Sequence, residues 1–255
     1  MAKNKSINRW ILFLLAAVLF SAAVLMKVFP VLIFIALAPL FRLAATQTDA
    51  ENFWEHADLI LFTLGIGFFC EKFFDLSHIL TISIMAILYT LPFIGYVYVK
   101  QILGPKTGIF LIIIFWSAIE YFVLKVVPSD QLIFLTDFIQ MKPEWLRWTY
   151  RTGYLSGTVW ILSVNWFIEL AFRNEKFRWS FLVLALIIIA GPIIYGYLNT
   201  IGVPDRAMML SLYNNGTVAS AEYTERGEWL ARTCAWVSVL VLLFTVVRQK
   251  VLVKK

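Results

Sequence analysis

Charged side chains are scarce: 15% of the 255 residues are Asp, Glu, Lys or Arg, against 61% hydrophobic residues. Ordinary soluble domains carry about 25% charged residues, so this chain cannot clothe itself in a water-facing surface, and lipid must form part of its solvent. Cysteine is limited to Cys70 and Cys234, both inside apolar stretches where a thiol acts as a small hydrophobe. Histidine is limited to His56 and His78. The cysteines tell nothing about redox compartment, and no His, Cys, Asp and Glu array stands at ligand spacing, so neither a metal site nor a cofactor is expected. Gly65-Ile66-Gly67 lies within an apolar run and lacks the strand, turn and helix context of a phosphate-cradling loop. Nothing suggests a Ser/His/Asp or Cys/His set, and no catalytic residue is assigned. The formal net charge of +6 comes from scattered Lys and Arg with no common face, which argues against nucleic acid as a partner.

What the sequence has in abundance is long apolar runs and aromatic residues, with 22 Phe, 10 Trp and 10 Tyr. A helix needs about 20 apolar residues to cross a bilayer core, fewer when protein shields part of it. Eight segments approach that length: Trp10–Met26, Phe29–Phe41, Asp58–Phe74, Ile79–Val99, Gly108–Val127, Gly153–Phe172, Trp179–Leu198 and Glu228–Val247. The expected fold is therefore all-α, a polytopic bundle of about eight transmembrane helices in a single integral membrane domain spanning residues 1–255. The first two segments meet around residues 27–30 and read equally as a tight hairpin or one bent helix. The basic N-terminus before Trp10 resembles a signal peptide, but no cleavage site followed by a soluble chain is seen, and the segment is expected to stay as the first span.

Lys and Arg retained on the cytoplasmic side set the orientation. Both chain ends and the short Arg173–Arg178 loop are basic, which places the N- and C-termini in the cytoplasm. Two segments on the outer side have their own character. Residues 128–152 alternate apolar residues with Asp130, Asp137, Lys142, Glu144, Arg147 and Arg151 and include Trp145 and Trp148, the pattern of a periplasmic interfacial segment. Residues 199–227 carry Gly202, Pro204 and the Asn214-Asn215-Gly216 turn signal and form a short periplasmic loop.

Ionisable residues inside a bilayer face the bundle interior and have partners. Glu120 stands well inside the fifth segment, and its expected partner is Lys125 or a polar group on a neighbouring helix; its functional alternatives are a general base or a lipid-headgroup anchor. In the sixth segment Ser156, Thr158, Ser163 and Asn165 offer interhelical hydrogen bonds, and Gly153 with Gly157 permits close helix approach. Glu169 with Arg173 and Glu228 with Arg232 have the i,i+4 spacing of helical ion pairs, Glu228 also complementing the start of the last span.

The order of several motifs resembles the membrane part of bacterial apolipoprotein N-acyltransferases. Leu37-Ala38-Pro39-Leu40 is similar to that family's second-helix signature, and Trp116 with Glu120-Tyr121 to its tryptophan, glutamate and aromatic pattern. Gly153 to Thr158 followed by Asn165 resembles its glycine-rich sixth helix, and Tyr223 to Trp229, with Arg226, the run that enters its last helix. The family places seven helices before a periplasmic nitrilase-like domain and one after it. Two departures stand out: Val123 occupies the family's arginine position, and roughly thirty residues separate the last two spans where a domain needs at least ~50. No residue here corresponds to the family's catalytic glutamate, lysine and cysteine. The resemblance implies a non-catalytic scaffold that binds phospholipid or lipoprotein acyl chains or docks a membrane or periplasmic protein partner. Trp116, Glu120, Trp148, Gly153, Ser156, Asn165, Tyr223 and Arg226 are its candidate binding residues. The alternatives are the membrane half of a split acyltransferase and a small-solute transporter.

Overall fold

The structure is a computed structural model that describes residues 8–46, 53–72, 75–104, 107–126, 131–173, 177–199, 202, 206–211 and 227–253. It is all-helical, with no strand among the described residues. In chain order the α-helices are α1 (Arg9–Leu25), α2 (Ile33–Ala36), α3 (Ala38–Thr46), α4 (Phe53–Glu71), α5 (Ile79–Leu103), α6 (Leu111–Val126), α7 (Ser156–Phe172), α8 (Trp179–Leu198), α9 (Arg206–Ser211) and α10 (Trp229–Val253). Among the described residues, three helical stretches are long and apolar enough to cross a membrane: Leu76–Leu103, Trp179–Leu198 and Trp229–Val251, with mean hydropathy 1.9, 2.4 and 2.1. Shorter apolar helices cover Arg9–Leu25, Pro30–Thr46 and Ser156–Phe172.

Helix ends follow local chemistry. Asn8 caps α1 by accepting from the Trp10 N–H at 3.0 Å, and Asp75 accepts from the Ser77 N–H at 2.8 Å ahead of α5. Gly104, at φ 102°, ends α5 while its N–H returns to the Lys100 carbonyl. The sequence left residues 10–41 as a hairpin or one bent helix. The structure has α1, a turn, a 3₁₀ turn at Pro30–Leu32, and then a second element broken at Leu37. Pro39 lacks the N–H that would bond back to Ile35, which weakens the helix at that point.

Helix α1 packs on α3 and α4, α4 on α5, α5 on α6, and α6 on α10. Helix α7 sits inside, touching α2, α3, α6 and α8. The segment expected to hold interfacial helices forms two 3₁₀ helices, Leu135–Ile139 and Pro143–Tyr150. The first is sunk into the bundle: Ile133, Phe134, Leu135, Thr136, Phe138 and Ile139 are all buried. Its second half braces α8, because Arg147 donates to the Gly196 carbonyl at 3.0 Å and to the Asn199 carbonyl, covering acceptors that the helix end leaves open.

Interior polar groups mend the breaks in the helices. The Asn165 side chain accepts from the Leu37 N–H at 2.8 Å and donates to the Ile33 carbonyl at 2.9 Å. Those are the two groups that a regular helix would pair with each other, so the α7 amide is inserted into the gap between α2 and α3. On α8, Pro192 leaves the Ile188 carbonyl without its helical donor, and the Trp160 indole N–H fills it at 2.7 Å. Glu228 departs from the expected pairing with Arg232. Its buried carboxylate accepts from the N–H groups of Tyr154 and Leu155 at 2.7 and 2.8 Å, which ties the start of α10 to the positive end of α7. Gly153, at φ 101°, makes this possible, since a Cβ there would strike the Glu228 backbone and carboxylate.

Candidate functional site

At the end of the bundle where α4 and α6 finish, two carboxylates from different elements lie in one buried cluster. Glu120 of α6 has no exposed surface. Its Oε1 accepts from the Trp116 indole at 3.2 Å and from the Leu135 N–H at 3.1 Å. Its Oε2 is buried with no hydrogen bond of good geometry, although Thr158 is a further polar neighbour. Lys125 points elsewhere, its ammonium 5.6 Å above the Tyr121 ring. The partner is therefore the neighbouring 3₁₀ helix, one of the two kinds of partner expected for this residue. Trp116 is held flat against Tyr89, with ring centroids 4.7 Å apart and planes 8° from parallel, and Tyr89 donates to the Ile133 carbonyl at 2.8 Å.

The second carboxylate, Asp137, sits on the sunken 3₁₀ helix. It accepts from the Phe134 N–H at 2.9 Å and the Tyr154 hydroxyl at 2.7 Å and is ion-paired with Arg206 of α9. Burial pushes the Asp137 carboxyl above its ordinary range, outweighing the opposing pull of the Arg206 charge and of these hydrogen bonds. Arg206 also donates to the Leu132 carbonyl and stacks over Phe134 at 5.5 Å, so α9 is fastened down on this cluster. Nearby, Lys27 and Glu71 form an ion pair at 2.7 Å, and the Glu71 charge is felt at Asp137. Thr136 closes the cluster against α7, bonding the Tyr154 carbonyl at 3.2 Å and the Thr158 hydroxyl at 3.3 Å. Gly157 lets it approach so closely, because a Cβ there would overlap the Thr136 side chain.

Helices α4 and α5 part to leave an open groove of about 410 Å³. Its walls include Phe62, Gly65, Ile66, Ile82, Ser83 and Ile87 and are almost wholly apolar. It opens sideways from the bundle, since Phe62, Ile66 and Ile87 are among the exposed large hydrophobic residues.

The structure gathers only some of the residues singled out by sequence. Trp116 and Glu120 belong to the cluster. Gly153 serves the Glu228 contact, and Ser156 lies within hydrogen-bond distance of the Thr152 hydroxyl at 2.6 Å. Asn165 serves the α2–α3 break. Trp148 packs edge-on to Trp160 at 6.0 Å, on the α7–α8 side. Tyr223 and Arg226 lie outside the described residues. Sequence reading missed Asp137, Tyr154 and Arg206 as site residues. The available signal was one acid in the otherwise uncharged run Leu132–Ile139, which amphipathic reading assigned to a wet surface.

Among the described residues, no three or more His, Cys, Asp or Glu side chains gather to hold a metal ion. The chain matches no family model, no curated protein and no solved structure. What the structure offers chemically is a buried polar cluster and, sharing none of its residues, a lateral apolar groove, which suits holding a chain-like apolar ligand.

Proposed function

We propose that this protein is a multi-pass inner-membrane scaffold of about eight spans, both ends cytoplasmic, that holds an acyl chain of a phospholipid or lipoprotein. In this role it is non-catalytic and akin to the membrane part of the apolipoprotein N-acyltransferases. On this topology the Glu120–Asp137 cluster and α9 face the periplasm, where segments 128–152 and 199–227 offer a surface to a partner.

One observation carries the proposal: the open groove between α4 and α5, lined by apolar side chains and lateral to the bundle. A groove that faces lipid is filled by lipid tails. The motif order from Leu37 to Glu228 adds support.

A phospholipid bearing a photoactivatable diazirine in its tail, added to the protein in nanodiscs, tests it. Labelling should concentrate on Phe62, Ile66 and Ile87. Gly65→Leu fills the groove where only the Ala86 Cβ stands near, at 3.9 Å, and should cut that labelling. Labels spread evenly over the exposed faces of α8 and α10, and unchanged by Gly65→Leu, would sink the proposal.

A further inference from the structure

The groove between α4 and α5 has two unlike ends. A short turn at residues 72–78 joins the helices, so they run antiparallel. Of the groove residues, Phe69 and Ile79 therefore lie next to the turn, and Leu61 and Ile87 lie farthest from it. At 1.5 Å per residue, the stretch from Leu61 to Phe69 is about 12 Å long. A bilayer core is ~30 Å thick, so the groove is as long as most of one leaflet. It also begins just inside the start of Leu76–Leu103, a stretch long enough to cross that core, so in a bilayer the turn stands at headgroup level with the groove beneath it.

The charges at the two ends differ in sign. The helical spacing of Leu61, Gly65 and Phe69 reaches Lys72 at the turn, where the Lys72 N–H still bonds the Phe68 carbonyl at 3.3 Å in helical fashion. Lys72 is half-buried, and its ammonium has no ion pair or hydrogen bond among the described residues. The two acids beside it are engaged elsewhere. Glu71 pairs with Lys27 at 2.7 Å, while Asp75 accepts from the Ser77 N–H at 2.8 Å and stands 3.9 Å from His78. Phe73 and Phe74 complete the turn and bring no charge. In the opposite direction the same helical spacing reaches Asp58, an exposed acid that repels a phosphate. A lipid phosphate is thus matched at the turn end and rejected at the far end, since an ammonium binds phosphate by charge-assisted hydrogen bonds.

We propose that Lys72 marks a headgroup site, and that the groove takes one tail of a glycerophospholipid threaded from the turn inward with the lipid phosphate against the Lys72 ammonium. The diacylglyceryl group of a lipoprotein has no phosphate, so this site selects the phospholipid over the lipoprotein. The inference rests on the groove holding an acyl chain, and it adds which class of lipid supplies that chain and which way round it lies.

The full-length protein in phosphatidylcholine nanodiscs, photolabelled by trace diazirine lipids and mapped by mass spectrometry, provides the test. Two phosphatidylglycerol probes carry the diazirine early or late in the tail, and a diacylglycerol carries it in the late position. The early diazirine should label Phe69 and Ile79, and the late one Leu61 and Ile87. Measured against labelling of α8, phosphatidylglycerol should label the groove about five-fold more than diacylglycerol, the worth of one lysine at a membrane surface. Lys72→Gln should remove that advantage and leave diacylglycerol labelling unchanged, which also shows that the groove is intact. Lys72→Arg keeps the charge and should retain the advantage. The reverse order of labels, equal labelling by the two lipids, or an advantage that survives Lys72→Gln overturns the headgroup site while leaving an acyl chain in the groove. Groove labelling by neither lipid overturns it together with the acyl-chain reading.

Discussion

Helix α7 and the long apolar helices α8 and α10 are built in opposite ways. Helix α7 is short, with 17 residues, and buries Ser156, Thr158, Asn165 and Glu169. Helices α8 and α10 have 20 and 25 residues and leave Ile187, Leu186, Leu240 and Leu243 exposed on their outer faces. Only 11% of the best α8 window and 17% of the best α10 window are buried, against 44% for the helix that ends at Leu103. The segments that look most like membrane spans are thus the least engaged with the rest of the protein. In lipid, apolar side chains gain little by leaving the solvent, so helices are held together by shape and by hydrogen bonds, which the shorter and more polar helices supply.

The sharpest way to break this contrast is Asn165→Leu. It preserves hydrophobicity but leaves the Leu37 N–H and the Ile33 carbonyl facing each other across a gap already weakened by Pro39. Two buried backbone groups without partners should cost about 2–4 kcal/mol, even with partial closure of the break. The expected readout is a marked fall in the midpoint of thermal unfolding in mild detergent. An unchanged midpoint would mean that α2 and α3 can join into one helix and that Asn165 is dispensable.

A smaller effect is expected where the two regions touch. Trp160 of α7 donates to the Ile188 carbonyl that Pro192 leaves open on α8, and it also packs against Phe34, with centroids 4.7 Å apart. Trp160→Phe keeps most of the ring packing and removes the donor, so the loss should be about 1 kcal/mol, in the range of hydrogen bonds measured between membrane helices. The double replacement with Pro192→Ala restores the helical donor to Ile188 and should recover most of that loss. Failure to recover would place the cost in packing.

The same contrast explains what could be read from the sequence. Hydropathy picks out Trp179–Leu198 and Trp229–Val251 at once, because those helices are apolar all round. It also singles out Glu120 and Asn165, because a polar side chain in an apolar run needs a partner. The identity of the partner was not legible. Asn165 bonds across 128 residues to Leu37, Glu228 across 74 to Tyr154, and Glu120 to a backbone N–H of a 3₁₀ helix that no periodicity announces. The run Leu132–Ile139 read as an interfacial surface because one acid stood in it. Its burial became intelligible only with Arg206 in place, and Arg206 comes from a loop whose sequence carries turn signals and little else.

The smallest effect should come from the outer face of α8. Ile187 is 59% exposed and its side chain makes no hydrogen bond, so in a bilayer its neighbours would be lipid tails. In a soluble protein the same exposure would make Ile187→Ala nearly silent because water already surrounds the side chain. In the bilayer it should be nearly silent because tails refill the space at little cost, within about 0.5 kcal/mol. The two explanations separate when the protein is moved from a phospholipid nanodisc to a short-chain detergent that packs loosely around α8. If lipid contact alone governs this face, Ile187→Ala should leave the unfolding midpoint unchanged in both settings. A drop of several degrees confined to the nanodisc would instead mean that Ile187 rests against something other than bulk lipid, and that the exposed faces of α8 and α10 are a protein interface whose partner survives in the membrane and is lost in detergent.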